Sequence, residues 1–125
     1  MTVISVADYR ASITGRGNKY RAKSETVDGH RFASKAEARR YGELRMAERA
    51  GNVTDLRLQP SYALHCPTGV EVGRYVADFE CRTRTGCLIV EDVKSPATAA
   101  NALFRWKRKH FEAEYGIDLV LIGAS

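Results

Sequence analysis

Apolar residues in this chain gather in short strand-like blocks, and at two places they fall into helical spacing. From about Ser34 to Ala50, positions 37, 41 and 44 (Glu37, Tyr41, Leu44) follow the i, i+4, i+7 repeat of one helix face. Ser34-Lys35-Ala36-Glu37 reads as a capping box at the start of that helix, and Gly51-Asn52 as an ordinary C-terminal stop. A second helix is expected near Ala97 to Tyr115, where Phe104, Phe111 and Tyr115 form a buried stripe at i, i+7 and i+11. Between the helices, Leu88 to Lys94 is an apolar run that turns abruptly to charge at Glu91, Asp92 and Lys94. Tyr75-Val76-Ala77-Asp78-Phe79 is a similar run, and the turn-like Thr83-Arg84-Thr85-Gly86 between the two predicts an antiparallel hairpin. Upstream, strands over Tyr20 to Val27 and His30 to Ala33 are expected to meet at Asp28-Gly29, a preferred two-residue turn pair.

This pattern places chemistry-bearing side chains at strand ends. Strand alternation puts Asp92 and Lys94 on one face, one suited to hold a divalent cation and the other to orient a nucleophilic water. The hairpin brings Asp78 towards Asp92, and Mg²⁺ favours one or two carboxylates supplemented by water and phosphate oxygens. The bland alternative is that Asp78 and Asp92 are strand-end residues paired with Lys94 or Arg74. Glu37 carries the same ambiguity: it completes the capping box, yet its stripe faces the sheet, where a carboxylate would reach a metal. Glu91 competes with Asp92 for the metal role, but only Asp92 has the lysine at i+2.

These motifs resemble the PD-(D/E)XK nuclease superfamily, whose α/β core runs helix, three antiparallel strands, helix, strand. The expected order here is a helix from Ser34 to Ala50, strands near Tyr62 to Cys66, Arg74 to Cys81 and Cys87 to Lys94, a helix near Ala97 to Tyr115, and a strand at Ile117 to Ile122. More closely, six segments are similar to a family of small phage and prophage proteins that long carried only a domain-of-unknown-function label. They are Asn18 to Lys23, Ser34 to Ala38, Leu58-Gln59-Pro60, Tyr75 to Phe79, Val90 to Lys94 and Tyr115-Gly116-Ile117. The resemblance implies a restriction-endonuclease-like core (αβββαβ), a mixed central sheet flanked by helices, with an N-terminal β-hairpin. It also implies that Asp78, Asp92 and Glu37 bind Mg²⁺, with Mn²⁺ as a substitute, that Lys94 assists the nucleophile, and that Gln59 belongs to the site. Gln59 read by itself is equally an ordinary loop amide. Ala77 stands where the superfamily name has proline, a common variation.

Composition and charge narrow the partner. The chain has 125 residues, 44% of them hydrophobic, and a formal charge of +5 with a pI near 9.3, a balance that suits nucleic acid because bound cations release the counterions condensed on phosphates. Arg16, Lys19, Arg21 and Lys23 form one basic cluster, and Arg105, Lys107, Arg108 and Lys109 another around Trp106 and His110. Both are candidate DNA contacts, although most charge runs are solvated faces; Trp106 is expected as a flank of the core, with a stacking surface as the alternative. Cys66, Cys81 and Cys87 show no CxxC spacing, so reduced thiols in strands are expected, and the scattered His30, His65 and His110 are assigned no metal, with phosphate contact an option for His110. No stretch approaches a membrane span and the N-terminus lacks a secretory pattern, which predicts a cytoplasmic protein of a bacterial host; the resemblance implies that it is phage or prophage encoded. Residues 1–17 are expected as a flexible arm and 18–125 as a single domain. The expected activity is that of a metal-dependent DNA endonuclease; the resemblance alone implies branched or structured phage DNA in recombination as its substrate, like that of a Holliday junction resolvase, and paired cuts at one junction would favour a homodimer that no residue here proves. The alternatives are a non-catalytic DNA-binding accessory of recombination or packaging, a protein that binds an acidic protein partner, and, among nucleases, one that cuts RNA.

Overall fold

The structure, a computed structural model, describes residues 24–123. By contact density the chain divides into two units, residues 1–38 and 39–125. The first contains a hairpin of β1 (Glu25–Val27) and β2 (His30–Phe32), paired antiparallel with Val27 opposite His30. Asp28 and Gly29 turn it with φ of 52° and 78°, the two positive values that a type I′ turn demands. The part of its first strand expected before residue 24, the arm over 1–17 and the basic cluster at Arg16, Lys19, Arg21 and Lys23 lie outside the described residues.

Helix α1 (Lys35–Arg49) starts in the first unit and continues into the second. Ser34 Oγ accepts the backbone N–H of Glu37 at 3.1 Å, the capping bond that the sequence predicts. Its C-terminus closes as a Schellman motif: Gly51 N–H donates to Glu48 O and Asn52 N–H to Ala47 O, with Gly51 at φ +78°.

The second unit is built on a mixed four-stranded sheet in the order β3-β6-β7-β8, comprising β3 (Val53–Leu58), β6 (Phe79–Thr83), β7 (Leu88–Val93) and β8 (Leu119–Ile122). The β6–β7 pair is the expected antiparallel hairpin, with Phe79 opposite Glu91 and Cys81 opposite Ile89. β8 runs parallel to β7, and the chain returns to it through α2 (Pro96–Ala99) and α3 (Ala102–Tyr115). A separate hairpin of β4 (Ser61–His65) and β5 (Glu71–Val76) packs against α3. The core joins these layers: Leu64, Tyr75, Ala77, Val90, Phe111 and Leu119 form one buried cluster.

The fold class is thus the expected α/β arrangement, a mixed central sheet flanked by helices with an N-terminal hairpin. Its details correct the reading in several places. The strand expected from Arg74 to Cys81 is two strands, because the chain leaves the β4 hairpin and enters the central sheet at Ala77-Asp78. The helix expected from Ala97 to Tyr115 is also two: Asn101 Oδ1 accepts the N–H of Phe104 and starts α3 afresh. β3 was not expected at all. Tyr115 is 38% exposed rather than part of the buried stripe, and Trp106 is 51% exposed rather than a flank of the core. Of the three thiols, Cys81 alone lies in a strand. No helix of the described residues is long and apolar enough to cross a membrane.

Candidate functional site

Three backbone bonds fix the position of Asp78. Its N–H donates to Glu91 O at 3.1 Å, its carbonyl accepts Gln59 N–H at 2.9 Å, and next door Ala77 N–H donates to Pro60 O at 3.1 Å. Extending the β6–β7 register by one residue sets Asp78 opposite Asp92. The Asp78 carboxylate, half-buried, then reaches across: Oδ2 accepts the N–H of Val93 at 2.7 Å. Asp78 therefore grips the partner strand on both sides of Asp92, with its backbone at Glu91 and its carboxylate at Val93, which sets the two aspartates opposite one another.

Alternation along β7 sorts the charged residues that follow. Val90 and Asp92 point to the side covered by α3, and Glu91 points to the other. Asp92 is 1% exposed. Its Oδ2 accepts the hydroxyl of Tyr75 and lies 3.6 Å from Lys94 Nζ. Burial and the neighbouring Asp92 charge push the Tyr75 phenol well above its ordinary range, so it remains protonated and can only donate to the carboxylate. Tyr75 is itself held by the rings of Phe104 and Phe111, at 6.4 and 5.3 Å. Lys94 stands over Phe104, with Nζ 4.8 Å from the ring centre, and its side chain is 25% exposed. The ammonium therefore meets the buried carboxylate on one side and solvent on the other.

Glu91 is resolved as something different. It is 4% exposed and forms a two-pronged pair with Arg40 of α1, Nε to Oε1 at 2.7 Å and Nη2 to Oε2 at 2.5 Å. That bond raises the Arg40 guanidinium further above an already high range. The alternation that gives Asp92 to one face assigns Glu91 to an internal ion pair on the other.

Gln59 is brought beside Asp78 by its own N–H, and its side chain is exposed. Its φ of +50° is the left-handed region, unusual for any non-glycine residue and more so before Pro60. Strain of this kind collects where surrounding structure holds a functional loop. Glu37, half-buried in the first turn of α1, belongs to the first unit.

As oxygen donors, Asp78 and Asp92 fit a hard divalent cation, and among the described residues no three His, Cys, Asp or Glu side chains are gathered to hold a metal. A bound ion would complete its shell with water and phosphate. On α3, Arg105 and Lys109 are exposed and Lys107 half-buried. Arg108 is engaged within the fold, with Nη2 donating to Leu119 O at 3.3 Å and Nε 3.4 Å from Glu112 Oε2. Tyr75 is the residue that sequence reasoning missed, since nothing local links it to a carboxylate 17 positions away.

The family model described as Protein of unknown function (DUF1064) matches residues 17–122. No curated protein matches the chain.

Proposed function

The chain belongs to the DUF1064 family, and we propose that it is a metal-dependent DNA endonuclease, acting on branched or structured phage DNA in the manner of a Holliday junction resolvase. One observation carries this reading: the register that opposes Asp78 and Asp92, with Lys94 Nζ 3.6 Å from the Asp92 carboxylate. Mg²⁺, when held by Asp78 and Asp92, supplies a polarised water and neutralises charge gathering on the scissile phosphate. The protein's own residues do the rest. Tyr75 fixes one oxygen of Asp92 by hydrogen bond. The Lys94 ammonium, exposed on one side, orients the attacking water and balances negative charge as a P–O bond forms and the opposite P–O bond breaks. Gln59 offers an exposed amide beside Asp78 for a phosphate oxygen. The basic residues Arg105 and Lys109 attract the backbone at long range.

A second reading, a DNA-binding accessory without catalysis, draws support from the deep burial of Asp92 and from the lack of a gathered donor trio among the described residues. One experiment separates them. A labelled four-way junction, its matched linear duplex, single-stranded DNA and RNA are incubated with Mg²⁺, Mn²⁺ or EDTA, using wild type and Asp92→Asn. The endonuclease reading expects metal-dependent cutting, strongest on the junction and lost in Asp92→Asn. Tight binding with no cutting in any metal would replace it with the accessory reading.

A further inference from the structure

The outer face of α3 takes no part in the proposed chemistry at β7, where its Arg105 and Lys109 act only as long-range charge. Leu103, Trp106 and His110 lie along it at i, i+3 and i+7, with Leu103 62% and Trp106 51% exposed. A half-bare indole on a small protein is an informative exception, because tryptophan is ordinarily well buried. Here it also has an aromatic neighbour. The Trp106 ring meets the His110 ring edge-on, 5.4 Å between centres and 62° between planes. His110 is pinned in turn, with Nε2 2.8 Å from His65 O and 3.3 Å from Glu114 Oε1. The two rings meet edge-on and are not stacked.

Beside this aromatic row runs a second one. Arg105 and Lys109, both exposed, are i and i+4 neighbours, as are Trp106 and His110. A turn of helix separates the members of each row by about 6 Å along the axis. One cationic row thus lies parallel to one aromatic row, the two requirements of single-stranded nucleic acid: charge for the phosphates and ring faces for the bases. Past His110 the aromatic row opens into a pocket of about 500 Å³ walled by His65, Cys66, Pro67, His110, Ala113 and Glu114. Glu114 carries negative charge there, its carboxyl held below the usual range first by the backbone N–H of His65. Phosphates are therefore repelled from the pocket towards Arg105 and Lys109, and bases are left to its apolar walls. Phe104, under Lys94, precedes Trp106 by two residues on the same helix and faces inward, so the proposed site at β7 and the aromatic row lie on opposite sides of α3.

We propose that the outer face of α3 is a seat for unpaired nucleotides, in which Trp106 stacks on a base while Arg105 and Lys109 take the adjoining phosphates. The inference rests on the nucleic-acid reading above and adds to it the substrate feature recognised, a single-stranded segment. Trp106 is the only tryptophan of the chain, so its own emission reports contact.

The test titrates full-length Asp92→Asn protein, without divalent metal, with oligothymidylate, a blunt duplex and a four-way junction bearing an unpaired arm. Binding is followed separately by anisotropy of labelled DNA. Stacking predicts strong quenching of Trp106 by oligothymidylate and by the unpaired arm, and little by the blunt duplex at equal occupancy. Trp106→Ala should weaken oligothymidylate binding roughly 10-fold, with Trp106→Phe restoring most of it. Oligothymidylate that binds with unchanged emission and unchanged affinity for Trp106→Ala would overturn the seat. Equal quenching by polyglutamate would overturn the occupant in favour of an acidic protein segment. Failure of the enzyme reading looks different: quenching as described, with no cleavage of any substrate by wild type in Mg²⁺.

Discussion

Glu91 and Asp92 are adjacent carboxylates on β7, 4% and 1% exposed, and the fold gives them different partners on opposite faces. Glu91 faces a guanidinium that neutralises both of its oxygens. Asp92 faces a neutral hydroxyl and a lysine ammonium 3.6 Å away that is still partly in solvent. A buried ion pair with matched prongs locks helix to sheet and has no capacity left for a ligand. A buried carboxylate with a loosely placed cation retains attraction for a further positive charge. The contrast separates structure from chemistry within two residues.

Breaking the Glu91 side should have the largest effect on folding. Arg40→Ala strands a buried carboxylate and is expected to cost about 3 kcal/mol, read from the denaturant midpoint in urea. Asp92→Asn should do the reverse: cleavage falls by at least about 100-fold, while the unfolding midpoint stays within about 1 kcal/mol of wild type because no matched ion pair is lost. If both variants lose stability equally, the distinction between the two faces fails.

A finer cut is Tyr75→Phe, which keeps the ring packing and removes the donor to Asp92. It should raise the Mg²⁺ concentration needed for half-maximal cleavage by roughly 10-fold, the usual scale for removing a group that orients a metal ligand. A purely structural tyrosine would lower stability and leave that concentration unchanged.

The smallest effect concerns Glu114, far from β7 in sequence and tied to His65. Its pKa is lowered by folding, so its stabilisation is present above the unfolded carboxylate value and is lost as pH falls through the folded one. The melting-temperature gap between wild type and Glu114→Gln should therefore be widest near neutrality and close on acidification. A gap independent of pH would assign the effect to packing.

Much of this was legible in the sequence because it is local. The hairpin at Thr83 to Gly86 and the two-residue period of β7 suffice to oppose Asp78 to Asp92 and to put Lys94 on the same side as Asp92. What escaped depends on long-range contacts. β3 has its half-buried apolar residues at 53, 56 and 58, a spacing that hides the strand because a bulge, with Asp55 at φ 54°, resets the alternation midway. The break at Ala77-Asp78 comes from bonds to Pro60, Gln59 and Glu91, none of which a local pattern encodes. Trp106 looked like core because aromatic residues in a helix ordinarily are; its exposure follows from Phe104 and Phe111 taking the inner face.

The most direct test of the central claim, that the Asp92 side of β7 is the one that holds a metal, is Mn²⁺ binding measured by loss of the free-ion electron paramagnetic resonance signal. Wild type and Arg40→Lys, altered on the opposite face, should bind alike, whereas Asp92→Asn should bind at least roughly 10-fold more weakly. Equal binding by wild type and Asp92→Asn would contradict the account.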